Sequence, residues 1–142
     1  MATPMTDDQR RAFLAEGART GVLSTTRADG SPHAAPIWFV LDGDVPVFNT
    51  GRDTLKGRNL RRDPRAVLTV DDATPPYSFV TVTGRVEISE DPGELLHWAT
   101  VIARRYMGPD RAEQFGRRNG VPGELLVRLV PEQVVAIAGV AD

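Results

Sequence analysis

The hydrophobic and polar positions of this chain form short apolar runs that are separated by turn signals, a pattern typical of strands. The first runs are divided at Asp29-Gly30 and at Asp42-Gly43, as expected for hairpin connections. Gly84 interrupts a longer run and predicts a β-bulge there. The sequence predicts strands over 20–26, 33–41, 45–50, 65–70, 78–89, 124–130 and 134–138.

Helical signals occur at three places. Thr6 to Gln9 is a capping-box pattern and predicts a helix over 6–17. A short basic helix is predicted over 53–62, capped by Asp53 or Thr54. Asp91-Pro92 begins a longer helix, which breaks at Gly108-Pro109 before a short helix that ends near residue 118. One face of the longer helix carries Leu95, Trp98, Ala99, Ile102 and Tyr106.

The order of these elements predicts one domain over residues 1–142 with a mainly β fold. Hairpin connections favour antiparallel pairing, and no βαβ repetition is present. We therefore expect an antiparallel barrel of six or seven strands with peripheral helices. Because proline cannot donate to a ladder, Pro32 and Pro36 indicate an edge, a bulge or a segment whose backbone faces a ligand.

Composition excludes several classes of function. The net charge of −2 argues against general nucleic-acid binding, and the absence of cysteine excludes disulfides and thiol chemistry. With only His33 and His97 available, no metal site is expected. The motifs of serine hydrolases, dinucleotide-binding folds and P-loops are absent. No signal-peptide core or membrane-length apolar run is present, so a cytoplasmic protein is expected.

A basic segment over 51–65 carries the clearest chemical signal. It holds six basic and two acidic residues, in a protein whose net charge is negative. Lys56, the only lysine among seventeen basic residues, and Asn59 share a helix face, so an ammonium group and an amide lie side by side. This pair suits a phosphate, and Arg52 and Thr54 would complete the cradle. The alternative is a solvated helix whose arginines balance acidic residues elsewhere.

The predicted second strand carries a weaker signal. Small residues precede Ile37 and Trp38, so a flat ring would have room to lie against exposed backbone. The competing interpretation is a core strand with Trp38 as ordinary filling. His33 has no identifiable carboxylate to orient it, and an exposed strand position is the simpler interpretation.

These residues resemble a known superfamily. The segments 21–26, 29–33 and 36–39 look like the opening hairpin of the pyridoxamine 5′-phosphate oxidase-like split barrels. Residues 56–65, of the form K-x-x-N-L-x-R-D-P-R, are similar to the phosphate-side motif of that superfamily. They look most like its actinobacterial branch that uses coenzyme F420, a deazaflavin. The resemblance covers about residues 8–138 and implies an antiparallel split barrel.

The resemblance also implies a set of site residues. Lys56 and Asn59 would contact the cofactor phosphate, with Arg52 and Thr54 nearby. Asn49 and Thr50 would line the ribityl chain. The ring system would lie near His33, Pro36, Ile37 and Trp38. Tyr77 and Ser78 would reach the site from their own chain or from a partner chain.

The function implied is that of an F420-dependent oxidoreductase, a homodimer with its cofactor sites at the interface, which transfers a hydride to an unsaturated organic substrate. FMN is the alternative cofactor, and a carrier that binds without turnover is the alternative role. The catalytic acid is not identified. Pyridoxamine-phosphate oxidase activity itself is not expected, because the basic residues that bind its substrate have no counterpart in 134–142. The arginines at 58, 61, 62 and 65 either hold the acidic tail of F420 or are surface charge.

Overall fold

The computed structural model describes all 142 residues, which form eight strands and four α-helices. In chain order they are β1 (Thr3–Pro4), α1 (Asp7–Ala15), β2 (Gly21–Thr26), β3 (Pro32–Ile37), β4 (Val40–Asp42), β5 (Val45–Gly51), α2 (Leu55–Arg62), β6 (Arg65–Asp72), β7 (Ser78–Ser89), α3 (Pro92–Met107), a 3₁₀ turn (Pro109–Arg111), α4 (Ala112–Asn119) and β8 (Glu124–Ala138).

All the strands belong to one antiparallel sheet with the order β3-β2-β6-β7-β8-β5-β4, and β1 adds to β8. The two end strands, β3 and β4, are consecutive in the chain and are joined by two residues only. The sheet must therefore curl until its ends approach each other, yet they do not pair. This confirms the antiparallel split barrel, with β1 raising the number of strands to eight.

The connection between β3 and β4 corrects the single strand predicted over 33–41. Trp38 and Phe39 leave the ladder because the backbone of Phe39 is bound by α3 instead. Its N–H donates to Tyr106 Oη at 3.1 Å, and its carbonyl accepts from Arg105 Nη1 at 2.7 Å. The hydroxyl of Tyr106 in turn donates to the carbonyl of Arg19 at 2.7 Å. Pro36 lies in an edge strand, as its missing N–H indicated.

The bulge predicted at Gly84 is confirmed, and it explains a second correction. The pairing of β7 with β8 shifts between Thr83 and Gly84, and Gly84 stands opposite Pro131. A Cβ atom on Gly84 would lie 2.0 Å from the carbonyl oxygen of Val130, so only glycine fits. Because the bulge accommodates Pro131 within the ladder, the segments 124–130 and 134–138 form one continuous strand rather than two.

The main core fills the inside of the curled sheet. It contains Leu23, Phe39, Phe48, Leu68 and Leu125, each fully buried. Burying such a side chain contributes about 1.5–3 kcal/mol. A smaller cluster joins α3 to β4, β5 and β8, and its members are Val40, Val47, Leu95, Ile102 and Leu126.

The helices begin where the sequence indicated. Thr6 and Gln9 form the predicted capping box of α1. Asp91 caps α3 by accepting from the N–H of Glu94 at 2.9 Å. Thr54 rather than Asp53 caps α2. None of the helices combines the length and the apolar character that crossing a membrane requires.

The role of Tyr106 in holding the strand break gives a prediction about stability. Tyr106→Phe removes the hydroxyl and leaves the N–H of Phe39 and the carbonyl of Arg19 without this partner. We expect the free energy of unfolding to fall by about 1–3 kcal/mol, measured by urea denaturation. Tyr77→Phe is the matched control, because Tyr77 is 44% exposed and its hydroxyl makes no hydrogen bond within the chain. Equal unfolding midpoints for the two variants would contradict this role.

Candidate functional site

A cavity of about 400 Å³ opens at the split between the two ends of the sheet. Residues from the end of β3, from β5, from α2, from α3 and from the end of α4 meet there. Five of the twelve residues predicted from the sequence are among those that line it, namely Pro36, Ile37, Trp38, Asn49 and Lys56. The others are Thr20, Ile102 and Asn119.

The start of α2 fixes the position of Lys56. The hydroxyl of Thr54 accepts from the N–H of Gly57 at 3.1 Å and lies 2.7 Å from the carbonyl oxygen of Gly51. A Cβ atom on Gly57 would lie 2.2 Å from that same carbonyl oxygen, so glycine lets the helix pack directly onto the end of β5. Lys56, next to this contact, is thereby directed to the cavity. No ion pair of the chain includes its ammonium group.

Thr50 and Thr54 support the cavity rather than line it. Thr50 is buried, and its hydroxyl oxygen lies 3.1 Å from that of Thr54. Both hydroxyls are therefore engaged in holding the turn between β5 and α2. Their predicted contact with a cofactor stays a prediction.

Asn59 has its partners within the chain. Its side chain is only 1% exposed and points into the protein, where the amide nitrogen donates to Thr25 Oγ1 at 3.0 Å. The amide oxygen accepts from Arg62 at 3.1 Å. Because the side chain is buried and both ends of the amide have internal partners, Asn59 anchors α2 to β2, and its predicted contact with a cofactor phosphate stays a prediction.

Arg52 is half-exposed and forms an ion pair with Glu90, with 3.0 Å between Nη1 and Oε1. It does not line the cavity in this conformation. Its backbone carbonyl accepts from Arg61 at 3.1 Å, which fixes the turn before α2. Arg52 is thus close to the predicted phosphate end in sequence, but its guanidinium group is already paired.

The remaining predicted residues lie away from this cavity. His33 pairs with Thr25 near the far end of β3, and its Nδ1 is buried without a hydrogen-bond partner. Tyr77 and Ser78 precede and begin β7, and neither lines the cavity. A single chain therefore brings Lys56 and Asn49 together with the ring residues Pro36, Ile37 and Trp38 at one cavity, but not these three.

Trp38 supplies a flat surface at the mouth of the cavity. Its ring stacks on that of Tyr106, with 4.8 Å between centroids and 2° between planes, while 40% of the residue remains exposed. Arg105 lies over the rings of Phe39 and Tyr106, at 4.8 and 5.3 Å from their centroids. Burial raises the pKa of Tyr106 and lowers that of Arg105. The ring of Trp38 is therefore supported by Tyr106, and Arg105 packs against Tyr106 in turn.

Glu124 was not found from the sequence. Its Oε1 accepts from Asn49 Nδ2 at 3.2 Å, and the same nitrogen lies 3.5 Å from the carbonyl oxygen of Asn119. Burial raises the pKa of Glu124, while the hydrogen bond from Asn49 and the charge of Lys56 oppose that shift. Only the pairing of β5 with β8 places this carboxyl beside the cavity, and no local motif signals that pairing.

The arrangement suits an elongated ligand with an anionic end and a flat end. The ammonium group of Lys56, which has no ion-pair partner, the ring of Trp38 and the amide of Asn49 line the same cavity. Such a mixture of a few polar groups and apolar walls is typical of cofactor pockets, and the volume falls within their usual range.

Solved structures share this fold. A conserved hypothetical protein from Mycobacterium tuberculosis is 29% identical, with a TM-score of 0.82 over 93% of this chain and 84% of that chain. A protein named F420 reductase is 27% identical, with a TM-score of 0.69 over 87% and 94%. A FAD-binding protein from Mesorhizobium loti, 17% identical with a TM-score of 0.67 over 96% of both chains, shares the fold.

The split barrel is thus a fold found among flavin- and deazaflavin-linked proteins. The sequence model of one family matches nearly the whole chain, over residues 6–138. That match includes the hairpin of β2 and β3, α2 with Lys56, and the strand that carries Glu124. This chain belongs to the pyridoxamine 5′-phosphate oxidase family.

Proposed function

We propose that this protein is an F420-dependent oxidoreductase that reduces an unsaturated, conjugated organic substrate. The observation that carries the proposal is the ammonium group of Lys56, unpaired within the chain and facing the same cavity as Trp38. Charged groups in folded proteins are normally paired or solvated, and an unpaired cation in a concave site is suited to an anionic ligand. The motif around Lys56 resembles that of the F420-using branch.

At the phosphate end, Lys56 provides the charge and Asn49 the polar contact. The side-chain nitrogen Nδ2 of Asn49 donates to Glu124, whereas its side-chain oxygen Oδ1 accepts no hydrogen bond within the chain. That oxygen is therefore available to a hydroxyl group of a ribityl chain. Thr50, Thr54 and Asn59 keep this end rigid through their internal hydrogen bonds.

At the ring end, Trp38 and Pro36 present a flat, largely apolar surface. Pro36 has no N–H that would need a partner, and the buried side chains of Ile37 and Ile102 exclude water from the floor. The stack of Trp38 on Tyr106 keeps the wall in one orientation. These residues would bind and orient a planar heterocycle.

Reduced F420, when bound, would supply the hydride. The part of this chain is to bind, to orient and to exclude water, which is how proteins generally use redox cofactors. The hydroxyl of Tyr106, which stacks on Trp38, is engaged by the backbone of Arg19 and Phe39, and we assign no catalytic residue.

The proposal includes a homodimer, because Tyr77 and Ser78 lie away from the cavity of their own chain. Val22 and Val135, on β2 and β8, are 44% and 41% exposed and would suit a subunit interface. We expect sedimentation velocity to give the mass of two chains at micromolar concentration. A single species with the mass of one chain would contradict this part of the proposal.

Parallel fluorescence titrations with F420 and with FMN test the cofactor. We expect F420 to bind more tightly, because the basic segment of 52–65 adds attraction for its acidic tail. Tighter binding of FMN would identify a flavin protein of the same fold. Binding of neither compound would contradict the proposed function.

Turnover is measured with the same protein as the oxidation of reduced F420 in the presence of enones, quinones or tetrapyrroles. Steady consumption with at least one acceptor class is expected. Binding of F420 without turnover across that panel would favour the carrier role instead.

The site assignment predicts the effect of removing the ammonium group. Lys56→Ala should weaken F420 binding by about 1.5–3 kcal/mol, the worth of a charge-assisted hydrogen bond, which corresponds to a rise in Kd of about 10- to 150-fold. Arg117→Ala is the matched control. Arg117 lies on α4, whose last residue lines the cavity, but its own side chain is 68% exposed and pairs with Glu113. Equal affinities for Lys56→Ala and the parent protein would remove Lys56 from the site.

A further inference from the structure

Glu124 lies beside the cavity because β8 begins where β5 ends. Glu124 pairs with Gly51 in the ladder, and the N–H of Arg52 donates to the carbonyl of Gly123 at 2.8 Å. The absence of a side chain at Gly51 leaves room for the carboxyl group, whose Oε2 would lie 3.3 Å from a Cβ atom there. The position of the carboxyl group therefore follows from the pairing of β5 with β8 and from the missing side chain at Gly51.

The groups around this carboxyl come from three elements. Asn49 of β5 donates through Nδ2 to Oε1 of Glu124 at 3.2 Å. The same nitrogen lies 3.5 Å from the carbonyl oxygen of Asn119 at the end of α4. Lys56 of α2 is the cation whose charge acts on the carboxyl group through space. Lys56 and Glu124 do not form an ion pair, so neither charge is locked to the other. A cation and a carboxylate thus share one site without direct contact.

A phosphate that binds to Lys56 would bring a second anion into the field of the same cation. Two anions near one cation repel each other, and the carboxyl can relieve that repulsion by taking up a proton. Glu124 is predisposed to do so, because its carboxyl group is seated beside Asn49 at the edge of the cavity, where burial raises its pKa. A phosphate that took up a proton would lose negative charge and part of its attraction to Lys56, so the carboxyl group is the better proton acceptor.

We propose that Glu124 is a positioning residue of the anion site, and that binding of a phosphorylated cofactor is coupled to uptake of a proton by its carboxyl group. The inference rests on the proposed function, since it needs an anion beside Lys56. It adds a residue that regulates the affinity of the site through pH. Coupling of this kind is reciprocal, so protonation tightens ligand binding as much as the ligand favours protonation.

The sign of the pH dependence follows from this coupling. Below the pKa of Glu124 in the free protein, the carboxyl is neutral with or without ligand, and affinity is highest. As the pH rises from that pKa to the higher value in the complex, binding requires proton uptake, so affinity falls. Above both values it is low and constant. An interaction worth one pKa unit changes affinity about tenfold.

The test compares the parent protein with Glu124→Gln, titrated with F420 and separately with FMN from about pH 4.5, near the ordinary pKa of a glutamate, up to about pH 8.5. Glutamine keeps the acceptor for Asn49 and removes the titration. We expect the ratio of Kd for the parent to Kd for the variant to rise with pH, by about tenfold for each unit by which the ligand raises the pKa of Glu124. Taking the ratio cancels titration of the ligand itself. Glu113→Gln, at an exposed carboxyl on α4, should give a ratio near one at every pH.

Calorimetry gives an independent measurement. Titrations of the parent protein in two buffers with different ionisation enthalpies should reveal net proton uptake at the pH where the ratio of Kd values changes, and Glu124→Gln should lose it. Binding with no proton uptake, or with a ratio independent of pH, would overturn the role of Glu124 while leaving the proposed function intact. Absence of any binding by the parent protein would overturn both.

Discussion

The site depends on the two-residue connection between β3 and β4. Two residues are too few to cross a barrel, so the ends of the sheet are brought together and the split stays open beside Trp38. The backbone of Phe39 cannot pair with a strand there, and α3 satisfies it through Tyr106 and Arg105. The same Tyr106 supports the ring of Trp38. One set of contacts therefore stabilises the opening of the barrel and builds the wall of its cavity.

Much of this fold could be predicted because its signals are local. The capping residues of α1 and α3, the bulge at Gly84 and the edge position of Pro36 each follow from the chemistry of one or two neighbouring residues. The strand break at Trp38 could not be predicted in this way. Its cause is Tyr106, which is 67 residues away in the chain and satisfies the N–H of Phe39.

The candidate site shows the same division. Spacing along α2 placed Lys56 and Asn59 on one face, and Lys56 does line the cavity, but spacing alone did not tell which amide would be buried. Thr25 decides that point, because its hydroxyl accepts from Asn59 across the gap between β2 and α2. Glu124 was missed for a related reason, since its position depends on strand pairing and not on any motif.

The chemistry of the cations explains why a single lysine stands out. Several arginines are fixed by carboxylates or carbonyls, among them Arg52 with Glu90, Arg65 with Asp63 and Arg105 with the carbonyls of Leu14 and Phe39. A guanidinium group suits such multiple contacts because its donors are arranged in a rigid fork, whereas an ammonium group is a compact charge on a flexible stem. Lys56 makes none of these internal ion pairs. The charge of Lys56 opposes the rise that burial causes in the pKa of Glu124, yet the two groups form no ion pair, so the charge of Lys56 stays available to a ligand.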